Sequence, residues 1–231
     1  MTDRLILVRH GEAEGGGAGR LRGRTDAPLT PTGRRQAAWV GAVLGPALGA
    51  GAARCFCSPL RRAVQTAAIA LEGTGRATTP LDGLMEVDVG EWEGLTFAEA
   101  AERRPDEAAR WATWDPAFAF PGGEDLAGFL RRVELVCDTL TQVEADTLVA
   151  FSHGGVIRSA VCRLLGLDSR QYLAFDVGPA CVVTVRLFGA SGVLAGVRNW
   201  DSGSEIEAGE EAVSDPAADG PGGDSREDPA S

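Results

Sequence analysis

Two histidines, the only ones in the chain, each follow a short apolar run and each precede a glycine. The first run ends in Arg9 and His10 within "LILVRHG", and the second ends in His153 within "LVAFSHGG". A neutral imidazole is a nucleophile or a general base near neutral pH. A glycine beside it lets the backbone approach a ligand and expose its N–H groups. The pattern favours chemistry on an anion over two unrelated core histidines.

A third apolar run, "RCFCS", leads into Arg61 and Arg62. In open α/β sheets, ligands bind outside the carboxyl ends of the strands. Cations gathered at such an edge repel one another unless an anion joins them. We therefore expect Arg9, Arg62 and both histidines to hold a phosphate-like dianion, and we expect Arg61 to lie on the surface.

Other chemistries fit the same residues less well. A metal ion on His10, Glu12 and His153 would lie beside the guanidiniums, which is unfavourable, so we expect no metal and no cofactor. Cys55 and Cys57 lie within an apolar strand that lacks the loop geometry of cysteine phosphatases and leaves their thiols inert. The stretch "GGGAG" has no GK[ST] and is interpreted as a flexible linker rather than a phosphate-binding loop.

The elements that position these residues alternate between strand and helix. Apolar or β-prone runs predict strands over 4–8, 53–58, 147–152 and 180–188, the last with a hairpin return, and a short extended piece over 76–81. Helices are predicted from Pro31 with Thr30 as N-cap, from Pro59, after Thr96, over 126–143, and up to Gly166. This alternation predicts an α/β fold: a three-layer α/β/α sandwich around a mainly parallel mixed sheet.

Composition divides the chain into two parts. Residues 1–200 are predicted to form one domain with a small helical cap insertion at about 95–125. Residues 201–231 are acidic and poor in large apolar side chains, which predicts a disordered tail. Of the net charge of −11, residues 202–231 contribute −8.

Composition also excludes several classes of partner. An acidic chain is a poor nucleic-acid binder, because phosphates must be met by a basic patch. No apolar run is long enough for a membrane span, and no leader pattern opens the sequence. The five cysteines form no CxxC pair, and most lie in apolar runs that predict burial. We expect a cytoplasmic protein, with a homodimer left open.

Six motifs, in order, resemble those of the histidine phosphatase superfamily, also called phosphoglycerate-mutase-like. They are "LVRHGEAE", "PLTPTGRRQA", "SPLRRAVQTA", "EVDVGEWEGLT", "PGGEDL" and "FSHGGVIR", and they span about residues 4–165. The resemblance implies that His10 is the nucleophile, that Arg9, Arg62 and His153 hold the phosphoryl oxygens, and that Glu86 is the general acid. It also implies substrate contacts, which we assign to Arg9, His10, Glu12, Arg22, Gly23, Arg62, His153 and Gly154.

Glu86 has close competitors for the role of acid. Asp88, Glu91 and Glu93 follow it within a few residues. The resemblance favours Glu86, which occupies the third position of the family's L-x-E motif. We interpret Asp88 and Glu91 as solvated loop charges.

The resemblance extends to one branch of the superfamily. Cofactor-dependent mutases carry a Trp-Asn pair soon after "RHG" and long basic insertions, whereas this chain has Ala13 and "EGGGAG" there and a short aromatic cap. This pattern is similar to α-ribazole phosphatase and the broad-specificity phosphatases. It implies a metal-independent phosphomonoesterase that forms a phosphohistidine and acts on a small phosphorylated metabolite, such as α-ribazole phosphate or a sugar phosphate.

Two other functions stay open at this point. One is a phosphoglycerate mutase that depends on 2,3-bisphosphoglycerate, and the other is a non-catalytic member of the fold that binds a phosphorylated ligand. The aromatic residues of the cap also allow two interpretations: they pack the cap onto the sheet, or they form a wall that admits a large organic group. These residues are Trp111, Trp114, Phe118 and Phe120.

Overall fold

Short apolar runs form the strands that carry the histidines. The computed structural model describes residues 3–17, 19–49 and 51–201. The strands are β1 (Arg4–Arg9), β2 (Ala53–Cys57), β3 (Thr78–Pro80), β4 (Thr147–Ser152), β5 (Val182–Phe188) and β6 (Ser191–Arg198). They form one sheet in the order β3-β2-β4-β1-β5-β6.

The sheet is parallel on one side and antiparallel on the other. Strands β3, β2, β4 and β1 run parallel to one another. Strand β5 pairs antiparallel with both β1 and β6. All six residues of β4 are buried, as expected of an inner parallel strand that is covered on both faces. The mainly parallel mixed sheet predicted from the sequence is confirmed.

Helices cover both faces of this sheet. They are α1 (Pro31–Leu48), α2 (Arg61–Ala70), α3 (Phe97–Arg103), α4 (Pro105–Ala112), α5 (Leu126–Thr141) and α6 (Gly154–Leu165). Short 3₁₀ segments lie at Asp82–Leu84, Gly90–Trp92 and Ser169–Ala174. Residues of α1 and α2 share one apolar core with the sheet, and residues of α5 and α6 share the other. The three-layer arrangement follows from these two cores.

Local capping explains where several helices begin and end. The Thr30 hydroxyl accepts a hydrogen bond from the Gly33 N–H ahead of Pro31, and Thr96 forms a capping box with Glu99. Helix α6 ends at Gly166, whose φ of 68° suits a glycine. The predicted start of α2 is wrong: this helix begins at Arg61 rather than Pro59, because Leu60 is still extended.

Helices α3 and α4 and the turn after them lie outside the sheet, in the segment for which the sequence predicts a cap; the division into domain, cap and tail stays a prediction. All five cysteines are buried and free of disulfides, and the apolar runs around most of them predicted this burial.

Within the part of the chain that the structure describes, no helix combines the length and apolarity that crossing a bilayer requires. The disordered-tail prediction falls outside the described residues, since 202–231 are not among them. The cytoplasmic location stays a prediction.

Candidate active site

The two histidines meet because their strands are neighbours. Strands β1 and β4 are parallel, with Arg9 opposite Ser152, so His10 and His153 emerge side by side at the carboxyl ends. Their ring centroids are 5.0 Å apart. His10 is 8% exposed, and His153 is fully buried. The topology thus brings together two imidazoles that are far apart in sequence.

The hydrogen bonds of His10 define which nitrogen is free to react. Its Nδ1 lies 2.7 Å from the Gly11 carbonyl oxygen, which can only accept, so Nδ1 carries the proton. The Nε2 therefore presents a lone pair, and it accepts a hydrogen bond of 3.1 Å from the Arg62 Nε. This tautomer is the one a nitrogen nucleophile needs.

His153 is oriented by a serine of β2's following turn. Its Nε2 lies 2.8 Å from the Ser58 hydroxyl oxygen, and its buried Nδ1 has no hydrogen-bond partner among the described residues. When the Ser58 hydroxyl donates to Nε2, the proton of His153 resides on Nδ1. The imidazole then offers an unused N–H donor, and a buried donor without a partner is costly unless a ligand takes it.

Two arginines flank the imidazoles and are held by backbone carbonyls. Arg62 is fully buried, and its guanidinium donates to the carbonyls of Thr25 and Gly23 as well as to His10. Arg9 donates from Nη1 to the Val177 carbonyl, while its buried Nε has no partner within the described ranges. Carbonyl partners hold a guanidinium in place without neutralising its charge, so both cations keep their attraction for an anion.

Burial and these cations keep both imidazoles neutral. Burial, followed by the fields of Arg9 and Arg62, lowers the pKa of His10 well below its ordinary value. Burial is also the main cause that lowers the pKa of His153, and the neighbouring His10 adds to it. Burial lowers the pKa of Arg62 to about 10, which leaves its guanidinium charged at neutral pH.

Glu86 reaches the same site from the loop between the first two 3₁₀ segments. Its carboxyl group is nearly buried and accepts hydrogen bonds of 3.0 Å from the N–H groups of Val87 and Gly155. Gly155 belongs to the first turn of α6, directly after His153. A Cβ at Gly155 would lie 2.5 Å from a carboxylate oxygen of Glu86, so this approach requires a glycine.

Arg132 of α5, a residue not predicted from the sequence, supports the loop that carries Glu86. Its guanidinium donates to the carbonyls of Gly83 and Met85 at 2.9 and 2.7 Å, and it forms two hydrogen bonds with Glu124. The available signal was the motif "PGGEDL", which contains Glu124 eight residues before Arg132.

Glu93 holds the backbone that positions Arg62. One of its carboxylate oxygens accepts from the N–H groups of Gly23 and Thr25, the two residues whose carbonyls hold Arg62. Glu91 is exposed and pairs with Arg104, whereas Asp88 is half-buried and accepts from the Gly90 N–H. Glu91 is therefore a solvated loop charge, as interpreted, and Asp88 is a loop charge that is only partly exposed. Arg61 is exposed, as expected.

A cavity of about 280 Å³ opens onto this cluster. Of the predicted site residues, those that line it are Arg9, His10, Glu12, Arg22, Glu86 and Gly154. Arg62, His153 and Gly23 lie behind this lining: Arg62 and His153 contact His10, and Gly23 accepts from Arg62. Glu12 is exposed, and its carboxylate accepts a hydrogen bond from the Thr30 hydroxyl.

The glycine-rich loop after His10 packs against Arg22. Gly15 has a φ of +71°, and a Cβ there would lie 2.6 Å from Arg22 Nη2. The buried Nε of Arg22 has no hydrogen-bond partner in the described part of the chain. The interpretation of this stretch as a flexible linker is therefore wrong, because Gly15 packs against the guanidinium of Arg22, which lines the cavity. Ala18, within the same loop, is not among the described residues.

The aromatic cap residues pack against one another, and three of them also line the cavity; that they admit a large organic group stays a prediction. Phe118 is fully buried and does not line the cavity, so it packs the cap. Trp111, Trp114 and Phe120 line the cavity as well as contacting one another.

Comparison with known proteins supports the same family. The profile of the histidine phosphatase superfamily (branch 1) matches residues 5–199. The chain is 31% identical over 186 residues to phosphoserine phosphatase 1 of Hydrogenobacter thermophilus, covering 80% of this chain and 86% of that protein. The structure of the α-ribazole phosphatase from Shigella flexneri superposes with a TM-score of 0.74 at 26% identity, covering 83% of this chain and 94% of that one.

A bifunctional protein of Mycobacterium tuberculosis is more similar in sequence but much longer. It is 41% identical over 152 residues, which are 65% of this chain and 41% of that protein. The chain thus spans less than half the length of this mycobacterial relative. The profile match covers nearly all of the described chain and agrees with the fold and with the residues at the strand ends. The chain belongs to the histidine phosphatase superfamily, branch 1.

Proposed function

We propose that this protein is a metal-independent phosphomonoester hydrolase that forms a phosphohistidine on His10. The observation that carries the proposal is a pair of neutral imidazoles, 5.0 Å apart, with a buried Arg62 bonded to the reactive nitrogen. Phosphoryl transfer requires little of a protein beyond a positioned nucleophile and fixed positive charge.

In the first step, His10 Nε2 attacks phosphorus and the ester P–O bond breaks. The Arg62 Nε–H, which donates to His10 Nε2 in the free protein, donates to a phosphoryl oxygen instead, and the Nε2 lone pair becomes free to attack. Arg9 and the Nδ1–H of His153 supply further donors to the equatorial oxygens, where charge develops. Glu86, acting as an acid, gives its proton to the leaving alkoxide.

In the second step, the Glu86 carboxylate takes a proton from water. The resulting hydroxide attacks phosphorus, the P–N bond breaks, and inorganic phosphate leaves. His10 returns to its neutral form and Glu86 to its protonated form, so the cycle closes without another reactant. The N–H groups of Val87 and Gly155 keep the carboxyl group in one orientation for both transfers.

The substrate we propose is a small phosphorylated metabolite. The similar proteins are named for different substrates, phosphoserine in one and α-ribazole phosphate in another, so they support phosphatase chemistry more strongly than any one ester. α-Ribazole phosphate and sugar phosphates remain the candidates from the sequence.

Release of inorganic phosphate from a panel of metabolites, measured with a chelator present, tests this proposal. Wild-type protein should retain activity in the chelator, and acid-labile, base-stable phosphate should appear on His10 after rapid quenching. His10→Ala should lose both. Activity that disappears with the chelator, or survives in His10→Ala, contradicts the mechanism. An enolase-coupled assay with and without 2,3-bisphosphoglycerate separates hydrolysis from a mutase reaction.

A further inference from the structure

The cavity beyond the phosphoryl site is unusually poor in neutral hydrogen-bonding side chains. No Ser, Thr, Asn or Gln side chain of the described residues lines it, and Tyr172 supplies the one hydroxyl. Besides the charged side chains of Glu12, Arg20, Arg22 and Arg158, the rest of the lining is mainly apolar: Ala13, Leu21, Val87, Val89, Trp111, Trp114, Phe120, Phe129, Leu173 and Pro179. Where a leaving group rich in hydroxyls meets the apolar part of this lining, it exchanges water for apolar carbon, which costs free energy for each hydroxyl left without a partner.

Three aromatic rings and one leucine form one wall of this cavity. We call Trp111, Trp114, Tyr172 and Leu173 the aromatic panel. Trp114 and Tyr172 are stacked with centroids 3.9 Å apart and an interplanar angle of 25°. The Trp114 indole N–H also donates to the Ser169 hydroxyl at 3.1 Å. These two contacts join the cap to the 3₁₀ segment Ser169–Ala174, so the panel is preformed.

The outer edge of the panel leaves apolar surface in water. Leu173 lines the cavity mouth and is 71% exposed, and Trp111 is half-buried. Exposed apolar surface at the mouth of a cavity is characteristic of a binding site. A flat apolar group that entered between Leu173 and Trp111 would remove both surfaces from water and gain hydrophobic free energy in proportion to the area covered.

We propose that the aromatic panel makes the enzyme selective for phosphomonoesters whose leaving group carries an aromatic ring, at the expense of sugar phosphates. This selectivity rests on the proposed hydrolase function, since the same cavity must present the ester to His10 and Glu86. The phosphoryl group lies toward His10, and the ring of the alcohol packs against the panel. Arg22 and Arg158, which also line the cavity, favour rings that carry no positive charge.

The test compares 2-phenylethyl phosphate with ribose 5-phosphate. Both are esters of primary alcohols, so their leaving groups differ mainly in what they offer the panel. The wild type should hydrolyse 2-phenylethyl phosphate with a kcat/KM about tenfold or more above that of ribose 5-phosphate, because one ring is buried. The Leu173→Ser variant should raise KM for the aromatic ester about fivefold and leave that for ribose 5-phosphate nearly unchanged.

Leu135→Ser is the matched control, since Leu135 is a 58% exposed leucine of α5 outside the cavity lining. It should behave as the wild type with both esters. Equal or higher kcat/KM for ribose 5-phosphate, or a loss in Leu173→Ser that is the same for both esters, would overturn the proposal.

Calorimetric titration of the His10→Ala variant with the same two esters separates recognition from catalysis. Tighter binding of 2-phenylethyl phosphate supports the aromatic selectivity, even where the wild type releases no phosphate and the proposed hydrolase function fails. Equal binding of both esters refutes the selectivity, even where His10-dependent hydrolysis is found.

Discussion

Replacing Arg132 with lysine should impair the acid step while sparing the rest of the site. The Nη1 group of Arg132 donates to the carbonyls of Gly83 and Met85, while Nε and Nη2 donate to the two oxygens of Glu124. Lysine keeps the positive charge, but its single ammonium group cannot bond the carboxylate and both carbonyls in this geometry. Hydrogen bonds from a charged donor contribute about 1.5–3 kcal/mol each, so the loop before Glu86 loses roughly 3–6 kcal/mol of anchoring. Water recovers part of this, because the Arg132 side chain is 19% exposed.

The consequence for catalysis depends on the leaving group. Glu86 keeps its bonds to Val87 and Gly155, so its carboxyl group should shift rather than leave the site. A displacement near 1 Å costs on the order of 100-fold in rate when a proton must be transferred in line. We expect kcat/KM, which reports only the steps up to formation of the phosphohistidine, to fall about 30–100-fold for an alkyl ester such as 2-phenylethyl phosphate. For p-nitrophenyl phosphate, whose leaving group needs little protonation, the loss should stay below about threefold.

Steady-state phosphate release from both esters measures this difference, and Arg131→Lys is the control. Arg131 is the exposed neighbour of Arg132 on α5 and should tolerate the change. Equal losses of kcat/KM for the two esters in Arg132→Lys would refute a role through Glu86 as the acid and indicate general destabilisation. Unchanged kinetics for both would mean that the loop holds its geometry without Arg132.

Three further changes test other parts of the site. Ser58→Ala should lower kcat/KM roughly tenfold or more, since it leaves the buried Nε2 of His153 without its partner; wild-type kinetics would rule out this orienting role. Gly15→Ala should raise KM by displacing the Arg22 guanidinium, while Gly17→Ala, where a Cβ meets nothing within 4 Å, should not; equal KM values in the two variants would contradict the packing. Below pH ~6.5, the free energy of unfolding measured by urea denaturation should fall by up to about 1.4 kcal/mol per pH unit for each buried histidine. The reason is that the unfolded imidazole binds a proton, whereas the folded imidazole, with its lowered pKa, does not. His153→Asn should reduce that slope, and an unchanged slope would show that His153 is not responsible.

The strands and helix caps were predictable because their signals are local. Apolar runs identified β1, β2, β4 and β5, and Thr30 and Thr96 marked helix starts that the structure has. The fold class predicts that β1 and β4 run parallel, and their adjacency, which the structure shows, accounts for the meeting of His10 and His153. The start of α2 was misplaced, because a proline at 59 suggests a first helical position while the chain stays extended through Leu60.

The supports of the site were not predictable, because they join distant parts of the chain through single side-chain atoms. The bond between Ser58 and His153 crosses 95 positions, and no periodicity indicates it. Arg132 looks like any surface arginine of an amphipathic helix until its carbonyl partners are known. The same holds for the glycine-rich loop, whose composition suggests a linker although Gly15 encloses Arg22.

The neutral partners of Arg62 have a consequence for turnover. Within the described chain its guanidinium is hydrogen-bonded to two carbonyl oxygens and to an uncharged imidazole, so its positive charge attracts an anion when no substrate is bound. Inorganic phosphate should be attracted in the same way as the phosphate ester. We therefore expect orthophosphate to inhibit turnover, and the same ion should protect the protein against heat in proportion to how tightly it is held.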